Sequence, residues 1–142
     1  MADPRVFSSS VQVRFGDCDP AGIVFYPRYF EMFNNLVEDW CNDGLETNFR
    51  ELVMGSGIGL PTVSTQTDFV ATSTLGDILT AQLTVLKLGN SSVTVAIRLL
   101  GAGGEERVRA TVVLVLMDIK KTCAMRIPDQ LRERMARFCV AG

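Results

Sequence analysis

Between residues 6 and 41 the spacing of apolar side chains changes once, from every second residue to every third and fourth, and this change limits the folds open to the chain. Val11, Val13 and Phe15 alternate with Gln12 and Arg14, which predicts a half-buried strand over 6–15. From about Pro27 to Cys41 the apolar positions are Phe30, Phe33, Leu36, Val37 and Trp40, while Glu31, Asn34, Asn35, Glu38 and Asp39 take the other face. That pattern is one amphipathic helix. Asn42-Asp43-Gly44 ends it, with Gly44 in the place of a C-cap glycine, and Thr47 to Met54 is a candidate for a short second helix.

Beyond Gly55-Ser56-Gly57-Ile58-Gly59, read as a flexible link, the pattern is strand-like. Leu79, Ala81, Leu83 and Val85 alternate with Thr80, Gln82 and Thr84, and Gly89-Asn90 marks a hairpin turn. Val93, Val95, Ile97 and Leu99 form the next strand, before a turn at Gly101-Ala102-Gly103-Gly104. The continuous run from Val112 to Met117 predicts a strand buried on both faces. Pro128 opens a last helix with Ile127, Leu131, Met135 and Phe138 on one side. Links this short allow no crossovers, so the meander is antiparallel, and the long helix shares its core by lying on one face. The predicted class is α+β, in a single domain spanning residues 1–142.

The chain contains no histidine, which excludes Ser-His-Asp and Cys-His mechanisms and removes the commonest metal ligand. Acid–base work falls to a carboxylate, a tyrosine, a cysteine or a lysine. A net charge of −2 recommends no nucleic-acid partner. No stretch approaches the length of a membrane span, and Met1 to Phe7 carries no apolar leader. Cys18, Cys41, Cys123 and Cys139 form no CxxC pair, so reduced thiols and a cytoplasmic location are expected.

Residues 15–30 carry the chemistry. Asp17 and Asp19 lie in a segment of turn formers, and Pro27 suits the first turn of the helix that follows. A carboxylate is thereby delivered close to a helix N-terminus, where unpaired N–H groups point outward. Such a pair can attack, or activate water against, a carbonyl that the donors polarise. Taken alone, an aspartate before proline is ordinary turn chemistry.

The run Gly16-Asp17-Cys18-Asp19-Pro20-Ala21-Gly22-Ile23-Val24, followed by Tyr26-Pro27 and Tyr29, resembles the active-site segment of the 4-hydroxybenzoyl-CoA thioesterase family. The likeness continues more loosely through Gly59-Leu60-Pro61, Asp68-Phe69-Val70 and Asp77-Ile78-Leu79. It implies the hot-dog fold, an antiparallel sheet wrapped around one long helix. It also implies an acyl-CoA substrate and no cofactor beyond the coenzyme A of that substrate. Assembly as a homodimer or homotetramer, with sites at subunit interfaces, is expected on the same ground.

The resemblance implies that Asp19 is the catalytic carboxylate, as nucleophile forming a mixed anhydride or as base to a water. The backbone amide of Tyr26 is expected to polarise the carbonyl, with Gly22 and Val24 beside the substrate. Asp17 is expected to shape the turn, and Cys18 to be a small buried thiol. Asn34 and Asn48 fall where the family holds a ring hydroxyl with an aspartate and a tryptophan. Because asparagine lacks charge, benzoyl, otherwise substituted aroyl and arylacetyl groups stay open. Lys87, Asn90 and Ser91 fall at the CoA end, where the family carries a basic cluster and this chain keeps one lysine. The basic residues Lys120, Lys121, Arg126, Arg132, Arg134 and Arg137 are read as a solvated face, with phosphate binding as the alternative. Phe33, Trp40 and Phe69 are assigned to the core. A thioesterase for short acyl-CoA or acyl-carrier-protein esters and a non-catalytic acyl-CoA-binding module are the competing readings.

Overall fold

The alternating pattern after residue 77 produces the sheet that the computed structural model shows; the structure describes residues 3–140. In chain order the elements are β1 (Phe7–Gln12), α1 (Pro27–Asp39), β2 (Ile58–Gly59), β3 (Thr62–Phe69), β4 (Ile78–Leu88), β5 (Ser92–Leu100), β6 (Glu106–Val115), β7 (Met117–Asp118), β8 (Cys123–Ala124) and α2 (Asp129–Ala136). Five strands form one antiparallel sheet in the order β1-β4-β5-β6-β3, and β2, β7 and β8 form a small second sheet. Among the described residues, no helix is long and apolar enough to cross a membrane.

The inward residues of β4 and β5 (Leu79, Ala81, Leu83, Val85, Val93, Val95, Ile97 and Leu99) are all buried. They share one core with Tyr29, Met32, Phe33, Leu36, Val37 and Trp40 of the central helix segment. Each large aliphatic side chain removed from water here contributes about 1.5–3 kcal/mol. The sheet therefore packs on α1 from one side, as the hot-dog arrangement requires. Ile127, Leu131, Met135 and Phe138 close one end of the core as their spacing predicts.

Several boundaries differ from the sequence reading. The first strand stops at Gln12, because Val13 turns to exchange main-chain bonds with Asp77 (2.8 Å) and Gly76 (2.9 Å). Phe15–Asp17 is then a 3-10 turn, which leaves Phe15 82% exposed rather than inward. The central helix runs on past Asp39 as a π-helical turn, Trp40–Gly44, closed by Leu45 N–H to Trp40 O at 2.7 Å. Gly44 is not a left-handed cap; the positive φ, 52°, falls on Glu46. Glycine is required at 44 by space, since a Cβ would stand 2.7 Å from Trp40 Cδ1. The predicted second helix is a single short stretch that ends in a π-helical turn, Glu51–Gly55. The glycine-rich link is no free loop, because Ile58–Gly59 is β2 and Gly57 O accepts the Ile119 N–H at 2.9 Å. The apolar run from Val112 lies in β6 only to Val115, and Val113 and Val115 are half-buried. β6 has core on one side only, and Leu116 gains full burial by leaving the strand toward β7.

Candidate active site

Residues 17–25 fold back on themselves as a short ribbon. Phe25 N–H donates to Asp17 O (2.9 Å), Asp19 N–H donates to Ile23 O (3.0 Å), and Cys18 pairs with Val24 between them. Asp19-Pro20-Ala21-Gly22 is the β-turn at its tip, closed by Gly22 N–H to Asp19 O at 2.9 Å. Aspartate, proline and glycine stand at the first, second and fourth turn positions, where each is favoured. Gly22 has φ +80°, a conformation in which a Cβ costs about 1–2 kcal/mol.

The two aspartates have different work. Asp17 Oδ2 accepts the Arg14 N–H at 2.9 Å and pins the base of the ribbon, as expected of a turn-shaping residue. Asp19 Oδ1 accepts the Ala21 N–H at 2.9 Å. Among the described residues, the second Asp19 oxygen has no hydrogen-bond partner and the carboxylate has no ion pair. Cys18 is half-buried rather than buried, and partial desolvation, then the Asp17 and Asp19 carboxylates, push its thiol above the ordinary range. It is therefore a poor thiolate nucleophile.

Tyr26 is the residue before α1, with Pro27 in the first turn. Its N–H makes no hydrogen bond among the described residues, so it is one of the free donors a helix start leaves over. Asp19 N–H is bonded to Ile23 O and Tyr26 follows three residues later, so the free Asp19 oxygen and the Tyr26 N–H belong to one continuous turn and helix start. Carboxylate and donor together are the parts acyl transfer needs.

Aromatic rings wall this place. Phe69 is 47% exposed and packs edge-on against Tyr26 with centroids 5.9 Å apart, and lies 5.8 Å from Tyr29. It thus belongs to the site and not to the core, because β3 is an edge strand. Val24, Tyr26, Tyr29, Phe69 and the segment 70–72 line a cavity of about 310 Å³. Further along α1, Phe30, Phe33, Asn34, Thr62, Thr65 and Val112 line a second of about 230 Å³. Sequence reasoning missed Tyr29 and the two threonines as site residues. Tyr29 sits inside the motif block, whereas the threonines depend on how β3 passes α1.

The other expected positions are dispersed. Asn48 lines neither cavity, and its Oδ1 accepts the Glu51 N–H at 3.0 Å, capping the turn that follows. Lys87, Asn90 and Ser91 lie at the far end of β4 and its hairpin, whereas Ile78, at the near end, pairs with Gln12 beside the ribbon. Nine residues of strand put roughly 30 Å between these ends. The C-terminal cations are not simply a solvated face. Arg132 donates to Gly89 O (2.7 Å) and Asn90 O (3.1 Å), Arg134 to Leu45 O (3.0 Å) and Glu46 O (3.1 Å), and Arg126 pairs with Asp129.

The ribbon leans on the turn before β4. Within that turn, Asp77 accepts bonds from Thr74 N–H (2.9 Å) and Arg107 (3.0 Å). The Thr74 N–H, and after it the Arg107 guanidinium, hold the Asp77 carboxyl below the usual carboxylate range. A lowered folded-state pKa stabilises the fold above the unfolded value of about 3.9, and that contribution is lost as pH falls through the folded value. Melting curves of wild type and Asp77→Asn are thus expected to differ at neutral pH and to converge below about pH 4.

Residues 13–135 match the family model of the thioesterase-like superfamily. The chain is 34% identical over 79 residues to 4-hydroxybenzoyl-CoA thioesterase of Pseudomonas sp. (strain CBS-3), covering 55% of this chain and 56% of that one. It is 28% identical over 79 residues to 1,4-dihydroxy-2-naphthoyl-CoA hydrolase of Synechocystis sp., covering 56% of each chain. The matched segment thus spans little more than half of these relatives. A crystal structure of a 4-hydroxybenzoyl-CoA thioesterase mutant complexed with 4-hydroxybenzoyl-CoA aligns with a TM-score of 0.80 at 27% identity, covering 92% of this chain and 99% of that one. Matched by its family model over nearly its whole length, with the ribbon and the helix start inside the match, the chain belongs to the thioesterase-like superfamily.

Proposed function

We propose that the protein hydrolyses an aroyl-CoA thioester to the free acid and coenzyme A. The observation that carries this reading is one ribbon presenting a free Asp19 oxygen and a free Tyr26 N–H. The Tyr26 N–H donates to the thioester oxygen as negative charge develops there, and the aligned dipoles of α1 strengthen that bond. Asp19 supplies the electron pair, directly to the carbonyl carbon or by taking a proton from the attacking water. Direct attack gives a mixed anhydride that water then opens. Either course consumes one water, breaks the C–S bond and releases one acid and one thiol. Neither course needs a metal or a redox cofactor.

The aromatic acyl class is supported by the ring-lined cavities beside Tyr26 and along α1, and by relatives named for aroyl-CoA substrates. Asn34 borders the inner cavity and offers a neutral amide to a ring substituent. Gly22 and Val24 carry the ribbon beside the thioester. Asn48, which borders neither cavity, takes no part at the acyl end in this reading. Lys87, Asn90 and Ser91 serve the coenzyme end of a neighbouring copy. A CoA ester at Asp19 meets Lys87 of its own chain only across the length of the sheet. Two copies paired antiparallel along their β3 edges lay the Thr62 end of one beside the Phe69 end of the other. That pairing also covers an open strand edge, which supports a homodimer or homotetramer.

The test is a panel of benzoyl-, 4-hydroxybenzoyl-, phenylacetyl-, acetyl- and butyryl-CoA, assayed for free thiol. The ring-bearing esters are expected to exceed the aliphatic ones in kcat/KM by about 10-fold or more. A preference for acetyl- or butyryl-CoA would remove the aroyl assignment.

A further inference from the structure

Arg107 stands near the start of β6, far in sequence from the ribbon, with its side chain 17% exposed. One guanidinium nitrogen, Nη1, donates to Thr72 O, Ser73 Oγ and Asp77 Oδ2, each at 3.0 Å. The other, Nη2, donates to Glu105 Oε1 at 2.9 Å. The Arg107 carbonyl in turn accepts the N–H groups of Val70 (2.9 Å) and Ala71 (3.1 Å). A single residue thus ties the 70–77 segment to the main sheet through both its backbone and its side chain. Ser73, one of its acceptors, is fully buried.

The ribbon is anchored on the same segment. Val24 N–H donates to Ser73 O (2.9 Å), Leu75 N–H donates to Gly22 O (3.0 Å), and Ile23 pairs with Thr74. Among the described residues, the main-chain bonds of residues 17–25 otherwise stay within the ribbon or reach only residues 14, 15 and 28. Asp19 and Tyr26 flank the three anchored residues, Gly22 to Val24. Movement of the 72–77 turn therefore moves the carboxylate and the N–H donor together.

We propose that Arg107 is a positioning residue of the thioester site. Its guanidinium fixes the 72–77 turn and, through the Ser73–Val24 and Leu75–Gly22 bonds, fixes Asp19 and Tyr26 against the bound ester. This role rests on the hydrolytic reading of Asp19. The planar fork matters, because a lysine ammonium is a single compact charge and cannot span the Asp77 and Glu105 sides at once. A displacement of about 1 Å at reacting groups costs on the order of 100-fold in rate.

The experiment compares wild type, Arg107→Lys, Ser73→Ala and Asp19→Asn in the full chain. It reads kcat and KM with benzoyl-CoA, the melting temperature, and hydrogen exchange of the Val24 amide. Arg107→Lys is expected to keep KM within about 3-fold, to lose about 10- to 100-fold in kcat and to speed Val24 exchange at least about 10-fold. Ser73→Ala removes one acceptor and is expected to move both readouts the same way by less, which keeps the test open if Arg107→Lys does not fold. Asp19→Asn is expected to lose turnover with Val24 exchange unchanged. Wild-type kcat in folded Arg107→Lys, or a fall in kcat with Val24 exchange unmoved, would overturn the proposal. Where Arg107→Lys does not fold, unchanged readouts in Ser73→Ala overturn it. Retained turnover in Asp19→Asn would instead overturn the hydrolytic reading, and Val24 exchange would still report on Arg107.

Discussion

Asp19→Asn is expected to fold with a melting temperature near that of wild type and to lose about 100- to 10,000-fold in kcat, the range for removal of a positioned base. The fold should survive because the asparagine carbonyl can still accept the Ala21 N–H that Asp19 Oδ1 accepts at 2.9 Å. What disappears is the anionic oxygen that no group in the described chain occupies. Asp17→Asn is the matched control. Its side-chain oxygen still accepts the Arg14 N–H, and Asp17 is not assigned to the chemistry, so its kcat should stay within about 10-fold of wild type. Steady-state thiol release and thermal melting on both variants check the pair. A larger loss in Asp17→Asn than in Asp19→Asn would move the carboxylate role to the other aspartate.

Trp40→Ala is expected to cost about 3–5 kcal/mol of stability. Trp40 is 0% exposed and packs edge-on against Phe138 at 5.9 Å. It sits where α1 widens into the π-helical turn, and Gly44 is glycine because the indole fills the space its side chain would take. Removing the indole therefore opens a cavity between the central helix segment and the segment after α2. Trp40→Phe should cost about half of this or less, since a ring still meets Phe138. It also removes an indole N–H that is buried without a partner. Urea denaturation of the two variants gives both values.

Much of this was legible in the sequence. The central helix, the β4–β5 hairpin and α2 follow from periodicity, although in α1 the buried face also takes in Tyr29 and Met32 and leaves Phe30 half-buried. The turn at Asp19 and the helix start at Pro27 are legible because turn and helix-start preferences are local, whereas the roles given to Asp19 and Tyr26 come from the family resemblance. The misplaced boundaries have non-local causes. Val13 is apolar and in phase with β1, yet it leaves the strand because Gly76 and Asp77 compete for its backbone. Phe69 looks like a core residue by type, and only its place on an edge strand exposes it. Gly44 suits a cap by residue type, and only the packing of Trp40 shows why it is glycine. The separation of Lys87 from Asp19 is a property of strand length and direction, which no motif states. Arg107 was invisible for the same reason, since its acceptors in the 72–77 turn are 30 to 35 residues away.

The central claim is that a free carboxylate oxygen and a free main-chain donor on one ribbon break a thioester. Its most direct test is the appearance of free thiol and benzoate when the purified wild-type protein meets benzoyl-CoA. Equal amounts of both products, formed over many turnovers at a rate that collapses in Asp19→Asn, are the predicted result. Tight binding of benzoyl-CoA with no thiol released, or release at the same rate from Asp19→Asn, would contradict it.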